Sequence, residues 1–271
     1  AKLKKISPPS LRVLISTYLL RVDIWNVKTL VRAKYTKLSP EQLPAMLLPS
    51  GFLNEKRLAE LMKKDSVEEV LKSIGFIDQS YFGLAIERFK ETKSVAEIEN
   101  ALDRFYYSVM EKFSRRLPDE GRLFREFLEL ETEVAAIMNV LRIKRANTPS
   151  KDIESFIVVP VKISALVKKM VNSQSAADAA KLLESSRLRA FVDAGVKEFI
   201  STGSLVALEL DLLVQLLKRS ALLIHQHPLS VDVILGYMFA KEIEVRNLKL
   251  IMKSKQLGIG EGFAEKHVVT M

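Results

Sequence analysis

One helical pattern occurs three times in the sequence at nearly equal spacing. Its copies read DIWNVKTLVRAK (23–34), EVAAIMNVLRIK (133–144) and EVRNLKLIMKSK (244–255), and their leading acids lie 110 and 111 residues apart. Common solenoid repeats have periods of about 20 to 50 residues, whereas a period near 110 matches a whole small domain. The chain is therefore predicted to consist of domain-sized repeats.

The period divides the 271 residues into three predicted blocks. Residues 36–146 and 147–271 each run from a loop through several helices to a long helix that carries the pattern. Residues 1–35 are then only the C-terminal part of a first repeat, whose beginning we expect to be missing.

Apolar residues recur at helical spacing, alternating strand patterns are scarce and the chain has only 10 glycines, so the predicted fold class is all-α. Ser39-Pro40 is a helix-start signal, and Ser66 with Glu69 and Ser94 with Glu97 are predicted capping boxes, in which a hydroxyl and a carboxylate bond to free backbone amides. The segment SFIVVPV (155–161) is predicted to be a short strand or an extended linker. The predicted helices lie near 9–35, 39–47, 54–63, 66–74, 78–91, 94–116, 120–146, 161–171, 175–184, 187–202, 204–225 and 228–256.

Each copy, placed on a helix, has an apolar stripe with the acid and the asparagine beside it. This arrangement favours a packing seam in which the polar groups hydrogen-bond to a neighbouring helix and set its register. The middle copy departs from the pattern because Ala136 replaces the asparagine. The predicted structural-motif residues are Asp23, Asn26, Lys34, Glu133, Lys144, Glu244, Asn247 and Lys255.

One cation per copy lies opposite the stripe, and two explanations stay open. Related copies would present these cations at related places, where they could bind a partner. Alternatively, a cation near a helix C-terminus is stabilised by the helix dipole, by about 0.3–1 kcal/mol, and needs no partner. The three cations opposite the stripe are Arg32, Arg142 and Lys253. Together with Lys28, Lys249 and Arg246 they are the candidate partner-binding residues.

The net charge of +9 favours an acidic partner, such as nucleic acid or an anionic membrane surface. The cations are spread among acids rather than clustered, which supports nucleic-acid binding only weakly. Because of the basic balance, a basic helical nucleic-acid-binding protein is the alternative function. No apolar stretch reaches the roughly 18 to 20 residues that a membrane-spanning helix needs.

The sequence contains no recognisable motif of catalytic, metal-binding or nucleotide-binding residues. The absence of cysteine excludes thiolate metal sites and cysteine nucleophiles, and His225 and His227 are expected to be surface histidines. No phosphate-binding loop occurs, and Gly258 in GIGEG (258–262) is expected at the C′ position of a helix end. We predict no catalytic residue, metal or cofactor, although an enzyme with an unrecognised pocket stays a rival interpretation.

Three stretches carry a family resemblance: DIWNVKTLVRAK (23–34), LLPSGFLNEKRLAELMKK (47–64) and HPLSVDVILGYMFAKEIEVRNLKLIMKSKQLG (227–258). They resemble the C subunit of archaeal and bacterial A/V-type rotary ATPases, the counterpart of the d subunit in eukaryotic vacuolar ATPases. The resemblance implies three related helical domains in a pseudo-threefold arrangement around a central cavity. Family members carry a further helical segment before the first motif, which agrees with an incomplete first domain.

By the same resemblance the protein is a non-catalytic subunit, peripheral to the membrane. It would sit on the cytoplasmic face of the membrane proteolipid ring, receive the central stalk and pass torque between them. The residues that match the family's repeated motif are Asp23, Asn26, Arg32, Lys34, Glu244, Asn247, Lys253 and Lys255.

Overall fold

The computed structural model describes residues 7, 9–116, 122–146, 164–226 and 230–270. Within these ranges the prediction of an all-α fold is confirmed, because α-helices and short 3₁₀ helices form and no strand does. The candidate strand at 155–161 lies outside the described residues. The chain divides into two compact units.

The first unit contains the described residues up to Phe113 and opens with a 28-residue helix that carries the first motif. This helix, α1, packs against α2 and α4, and α3 packs against α4. A 3₁₀ helix at Gln79–Tyr81 precedes α5. The helices are α1 (Pro9–Thr36), α2 (Leu43–Met46), α3 (Glu55–Met62), α4 (Val67–Ser73), α5 (Gly83–Thr92) and α6 (Ala96–Ser114).

The second unit contains the described residues from Ser114 onward and holds the other two motif helices, α7 and α12. The helix α11 packs against α7, α10 and α12, while α8 and α9 pack against α7. Its helices are α7 (Arg122–Arg145), α8 (Ala165–Asn172), α9 (Ala176–Lys181), α10 (Arg189–Thr202), α11 (Val206–Gln226), α12 (Val231–Gln256) and α13 (Glu261–His267). A 3₁₀ helix, Leu182–Ser185, lies between α9 and α10.

Two glycines let helices of the second unit approach closely. A Cβ atom on Gly195 of α10 would lie 2.5 Å from the Cα of Leu208 on α11, and one on Gly236 of α12 would lie 2.8 Å from the carbonyl oxygen of Ser220. The Gly195 amide also donates to Asp211 Oδ2 at 3.0 Å. Larger residues at these two crossings would push the helices apart.

The predicted helix at 39–47 is wrong over its first part, because the helix there is only α2. An α-helix through this segment would need the amide of residue 44 to donate to the carbonyl of residue 40, and Pro44 has no N–H group. The chain instead makes a turn in which Gln42 N donates to Ser39 O at 3.2 Å. The helix α13 was not predicted.

The two predicted capping boxes form only in part. Ser66 Oγ accepts from Glu69 N at 3.2 Å, but the Glu69 carboxylate accepts from Asp65 N rather than from Ser66 N. Ser94 Oγ accepts from Ala96 N, and Glu97 pairs with Arg88 at 3.5 Å instead of turning back to the cap.

Capping contacts recur 110 residues apart in the two units. The side chains of Asn54 and Ser164 cap α3 and α8, and the left-handed residues Lys93 and Gly203 end α5 and α10. The hydroxyls of Thr92 and Thr202 then accept from the amides of Ser94 and Ser204. The period seen in the motif copies therefore extends to the helices between them, whereas the predicted boundaries of the blocks stay a prediction.

Candidate functional site

The first motif helix holds an extended segment through the side chain of Asn26. Its Nδ2 donates to Leu48 O at 2.7 Å, and its Oδ1 accepts from Leu48 N at 2.9 Å. Asn26 is fully buried. One side-chain amide thus satisfies both backbone groups of a residue that lies in no helix, as a paired strand would do.

The acid of the first copy binds the next turn of the same segment. Asp23 is fully buried and accepts from Phe52 N at 2.7 Å and from Leu53 N at 3.1 Å. Gly51 has φ +52°, and a Cβ there would lie 2.0 Å from Asp23 Oδ2. Only glycine fits this turn over the carboxylate.

The third copy repeats the asparagine contact. Asn247 Nδ2 donates to Val269 O at 2.8 Å and its Oδ1 accepts from Val269 N at 3.0 Å, across the same 22 residues that separate Asn26 from Leu48. We call these two arrangements the asparagine clamps.

The first and third motif helices also end alike. Leu38 N donates to Ala33 O and Ile259 N donates to Ser254 O, both at 2.9 Å, in the pattern of a Schellman end. The residue before each of these amides is left-handed, with φ +65° at Gly258. The expectation that Gly258 is a C′ residue is confirmed.

The prediction that these polar side chains bond to a neighbouring helix is wrong for Asp23, Asn26 and Asn247. Their partners are backbone groups of segments outside helices. The amides and carbonyls in the middle of a helix are already bonded to each other, so only irregular backbone has groups left for a buried amide or carboxylate.

The second copy uses different contacts. Ala136 is buried and has no polar side chain, and the residue 22 positions later lies outside the described ranges. Glu133 forms an ion pair with Arg187, which precedes α10. In the third copy, Glu244 is exposed and pairs with Lys241 on the same helix.

The motif lysines of the first two copies bind the ends of short helices. Lys34 Nζ donates to the carbonyl oxygen of Met62, the last residue of α3, at 2.7 Å, and Lys144 Nζ donates to that of Ser173, which caps α8, at 2.6 Å. Burial lowers the pKa of Lys144. Each ammonium faces the negative end of a helix dipole. Lys255 is exposed on the last turn of α12.

Two of the candidate partner-binding cations form ion pairs inside their own unit. Arg32 binds Glu99 of α6 through two bonds, of 2.5 and 2.7 Å, and Arg142 binds Glu209 of α11 at 2.8 Å. The acid lies 67 residues after the arginine in both cases. The hydrogen bonds from Arg32 to Glu99 raise the pKa of Arg32.

Lys28 is also paired, since its Nζ lies 2.5 Å from Asp103 Oδ1 on α6. Burial raises the pKa of Asp103, although the neighbouring ammonium of Lys28 opposes that shift. The structure thus brings Lys28 and Arg32 together on one face of α1, opposite two acids of α6.

The remaining three candidates lie on α12. Arg246 Nη1 donates to His267 O at 3.4 Å, Lys253 Nζ donates to Gln256 Oε1 at 3.3 Å, and Lys249 is exposed. Whether any of the six cations binds a partner stays a prediction.

The acids Glu99 and Glu209 were missed as functional partners of the motif. They lie 110 residues apart, so carrying the period beyond the three motif copies would have found them. Asp103 has no such signal, because the residue 110 positions later is Leu213.

The described residues contain no group of three or more histidine, cysteine or acidic side chains placed to hold a metal ion. His225 lies exposed near the end of α11, and His227 lies outside the described residues. Among the described helices, none is both long enough and apolar enough to span a membrane.

Comparison with known proteins finds one family and its members over nearly the whole chain. The model of the ATP synthase (C/AC39) subunit family matches residues 1–266. The A-type ATP synthase C subunit of Methanosarcina acetivorans is 28% identical over 272 residues, which cover 100% of this chain and 73% of that protein. The C subunits of Haloferax volcanii and Methanosarcina mazei are each 28% identical, over 95% and 99% of this chain and 74% and 73% of their own lengths.

Proposed function

The chain belongs to the ATP synthase (C/AC39) subunit family, and from this premise we propose that it is the non-catalytic C subunit of an A-type rotary ATPase. The observation that carries the proposal is the match of the family over residues 1–266, together with three relatives named as C subunits of A-type ATP synthases. ATP synthesis or hydrolysis and ion transport would then be activities of the whole complex. The partners of this chain would be other subunits of that complex.

The proposed role is to seat the central stalk on the membrane proteolipid ring and to pass torque between them. The protein would be peripheral, on the cytoplasmic face of the membrane. A part that transmits torque must resist bending, and helices that cross at close range resist it because packed interiors have low compressibility. The crossings at Gly195 and Gly236 support such a stiff body.

The proposed architecture is a pseudo-threefold arrangement of repeats around a central cavity. The recurrence of the asparagine clamps, the helix ends and the ion pairs at the motif period supports related repeats. A cavity lined by related repeats could receive the base of a stalk.

The net charge of +9 gives the proposed stalk contact an electrostatic component, since a basic surface attracts an acidic partner and speeds its association. Lys249 is the candidate chosen for the test, because its side chain is exposed on α12. Lys218, an exposed lysine of α11, is the matched control.

The test is purification of the tagged protein from its native membranes in mild detergent. We expect the proteolipid and the central-stalk proteins to be recovered in fixed proportion with the tagged chain, and the isolated chain to show no ATP hydrolysis. We expect Lys249→Glu to weaken recovery of the stalk proteins at low salt, and Lys218→Glu to leave it unchanged.

Two results would contradict the proposal. One is recovery of the chain without any other part of a rotary ATPase. The other is co-purification of nucleic acid in place of the stalk proteins, in an amount that falls as the salt concentration rises, which would favour the nucleic-acid-binding alternative. Equal recovery for Lys249→Glu and the control would contradict the contact at Lys249 alone.

A further inference from the structure

The motif helices α1 and α7 are each joined to a later helix by the same kind of ion pair. Arg32 on α1 binds Glu99 on α6, and Arg142 on α7 binds Glu209 on α11. Both residues of the second pair lie 110 positions after those of the first. Because the two units share this pair, it cannot distinguish the correct partner of either motif helix from the equivalent helix of the other unit.

The position one turn before the arginine differs between the two units. Lys28 Nζ lies 2.5 Å from Asp103 Oδ1, and the two side chains are only 18% and 29% exposed. The equivalent residues of the second unit are Met138, which is buried, and Leu213. The first unit therefore has an ion pair where the second unit has two apolar side chains.

The second unit has an ion pair of its own near the other end of the same helices. Glu126 on α7 binds Arg219 on α11. The residues 110 positions earlier, Ser16 on α1 and Val109 on α6, carry no charge. Each unit thus combines one shared pair with one pair that the other unit lacks.

An exchange of α6 and α11 between the two motif helices would leave all four unit-specific charges without their partners. In the register of the shared pair each charge would face an uncharged side chain: Lys28 would face Leu213, Asp103 would face Met138, Glu126 would face Val109 and Arg219 would face Ser16. A charge that is removed from water without its partner strongly disfavours the structure that contains it. Both exchanged pairings are therefore less favourable than the correct ones.

Stability alone does not account for the charged pair in the first unit. A buried ion pair often contributes no more to stability than apolar side chains of similar volume. Burial raises the pKa of Asp103 even though the Lys28 ammonium lies beside it. Related repeats in one chain, however, can misassemble while they fold. A protein discriminates between similar partners when the wrong combination leaves charges unpaired.

We propose that the pairs Lys28–Asp103 and Glu126–Arg219 determine which helices pair when the chain folds, by directing α6 to α1 and α11 to α7. The shared arginine–glutamate pairs stabilise the correct and the exchanged combination alike, and the unit-specific pairs disfavour the exchanged one. These contacts distinguish α1 from α7 and not α1 from α12, which has Lys249 at the position equivalent to Lys28.

The test reports which helix lies against α1 after the protein has been refolded from urea. Thr36 is the last residue of α1, and Ala96 and Val206 are the first residues of α6 and α11; all three are exposed. The 271 residues contain no cysteine, so two cysteines introduced at 36 and 96, or at 36 and 206, are the only sites for a short bismaleimide cross-linker. The 36–96 bridge reports the correct pairing and the 36–206 bridge the exchanged one, with protein that was never unfolded as the baseline.

Two double variants remove the unit-specific pairs. Lys28→Met with Asp103→Leu gives the first unit the residues of the second, and Glu126→Ser with Arg219→Val gives the second unit the residues of the first. After refolding we expect each variant to raise the ratio of the 36–206 bridge to the 36–96 bridge by at least about tenfold, which corresponds to about 1.4 kcal/mol of lost discrimination. Before any unfolding, Lys28→Met with Asp103→Leu should resist urea at least as well as the parent, because apolar side chains replace the ion pair.

Two matched controls separate the loss of discrimination from the loss of an ion pair. Lys28→Asp with Asp103→Lys keeps a unit-specific pair with its charges exchanged, so the bridge ratio should stay at the parent value. Arg32→Ala with Glu99→Ala removes a shared pair instead, and this variant should also leave the ratio unchanged.

Three results would overturn the proposal. One is a bridge ratio that stays at the parent value in both double variants that remove unit-specific pairs. Another is an equal increase when Arg32 and Glu99 are replaced, since any lost ion pair would then have the same effect. The third is an increase in the charge-exchanged variant as large as that in Lys28→Met with Asp103→Leu. An increase in only one of the two double variants would confine the role to that pair and contradict the proposal for the other.

Discussion

Arg32 and Glu99 form a two-point ion pair that joins α1 to α6, with Nε 2.5 Å from Oε1 and Nη2 2.7 Å from Oε2. The equivalent pair in the second unit, Arg142 with Glu209, has one contact of 2.8 Å. Both residues of the second pair lie 110 positions after those of the first, but the two pairs differ in geometry, which makes each a control for the other.

We expect a double-mutant cycle on Arg32→Ala and Glu99→Ala to give a coupling free energy of about 0.2–1 kcal/mol, because the Arg32 side chain is 61% exposed and water screens the pair. The cycle on Arg142 and Glu209 should give a smaller value. Urea unfolding at low salt and at about 1 M salt measures both, and the coupling should fall with salt. Equal couplings would show that the second bond contributes nothing, and a coupling insensitive to salt would contradict an electrostatic origin of the pairing.

Replacing Asn26 with alanine should lower the free energy of unfolding by about 1–3 kcal/mol. The substitution leaves the amide and the carbonyl of Leu48 without their partner in a site where Asn26 is fully buried. Asn139→Ala on α7 is the matched control, since the Asn139 side chain makes no hydrogen bond to the described residues. Chemical denaturation compares the two variants, and a loss as large for Asn139→Ala would rule out the clamp as the cause.

Asp103 should make the protein less stable as the pH rises. Because burial raises its pKa in the folded state, the folded protein holds this proton more tightly than the unfolded chain, whose aspartates titrate near about 3.9. The free energy of unfolding contributed by this group therefore falls between about pH 3.9 and the raised pKa. Asp103→Asn should remove that fall, which urea unfolding across this range measures.

Asp78 provides the opposite case for the same experiment. Hydrogen bonds from the Ser80 hydroxyl and amide lower the pKa of Asp78, so its contribution is present above about pH 3.9 and is lost as the pH falls toward the lowered pKa. Carbon NMR titration of the two carboxyls should place them on opposite sides of the usual value. A pKa for Asp103 at or below that value would mean that the Lys28 ammonium outweighs burial.

Gly195→Ala should lower the free energy of unfolding by about 1–3 kcal/mol or more, because the added methyl group would lie 2.5 Å from the Cα of Leu208 and force α10 away from α11. Gly83→Ala is the control, since nothing lies within 4 Å of a Cβ there. That change should be neutral or stabilising by up to about 1 kcal/mol. Thermal unfolding of both variants is the measurement, and a neutral Gly195→Ala would contradict the close helix crossing.

Much of the fold could be predicted because its signals are local. Helical spacing of apolar residues and the helix-start signal at Ser66 are properties of neighbouring residues, and most predicted helices in the described ranges formed within a few positions of their expected ends. The error at 39–47 was avoidable, since Pro44 alone forbids the hydrogen bond that a helix starting at Pro40 would need.

The partners of the motif could not be predicted in the same way. Leu48 contributes only its backbone to Asn26, so nothing in its side chain marks it as a partner. Glu99 and Glu209 could have been predicted from the 110-residue period. The pairing of Lys28 with Asp103 depends on how two helices pack, and the residue 110 positions after Asp103 is not an acid.

Each asparagine clamp bonds only to the backbone N–H and C=O groups of the residue it holds, and not to that residue's side chain. Leu48 in the first copy and Val269 in the third differ in shape, yet they present the same two groups to the same amide. The held residue can therefore be substituted without loss of the two hydrogen bonds, whereas the asparagine cannot. We therefore expect positions 48 and 269 to accept any residue that has a backbone N–H group, and positions 26 and 247 to require a side chain that both donates and accepts, as asparagine does.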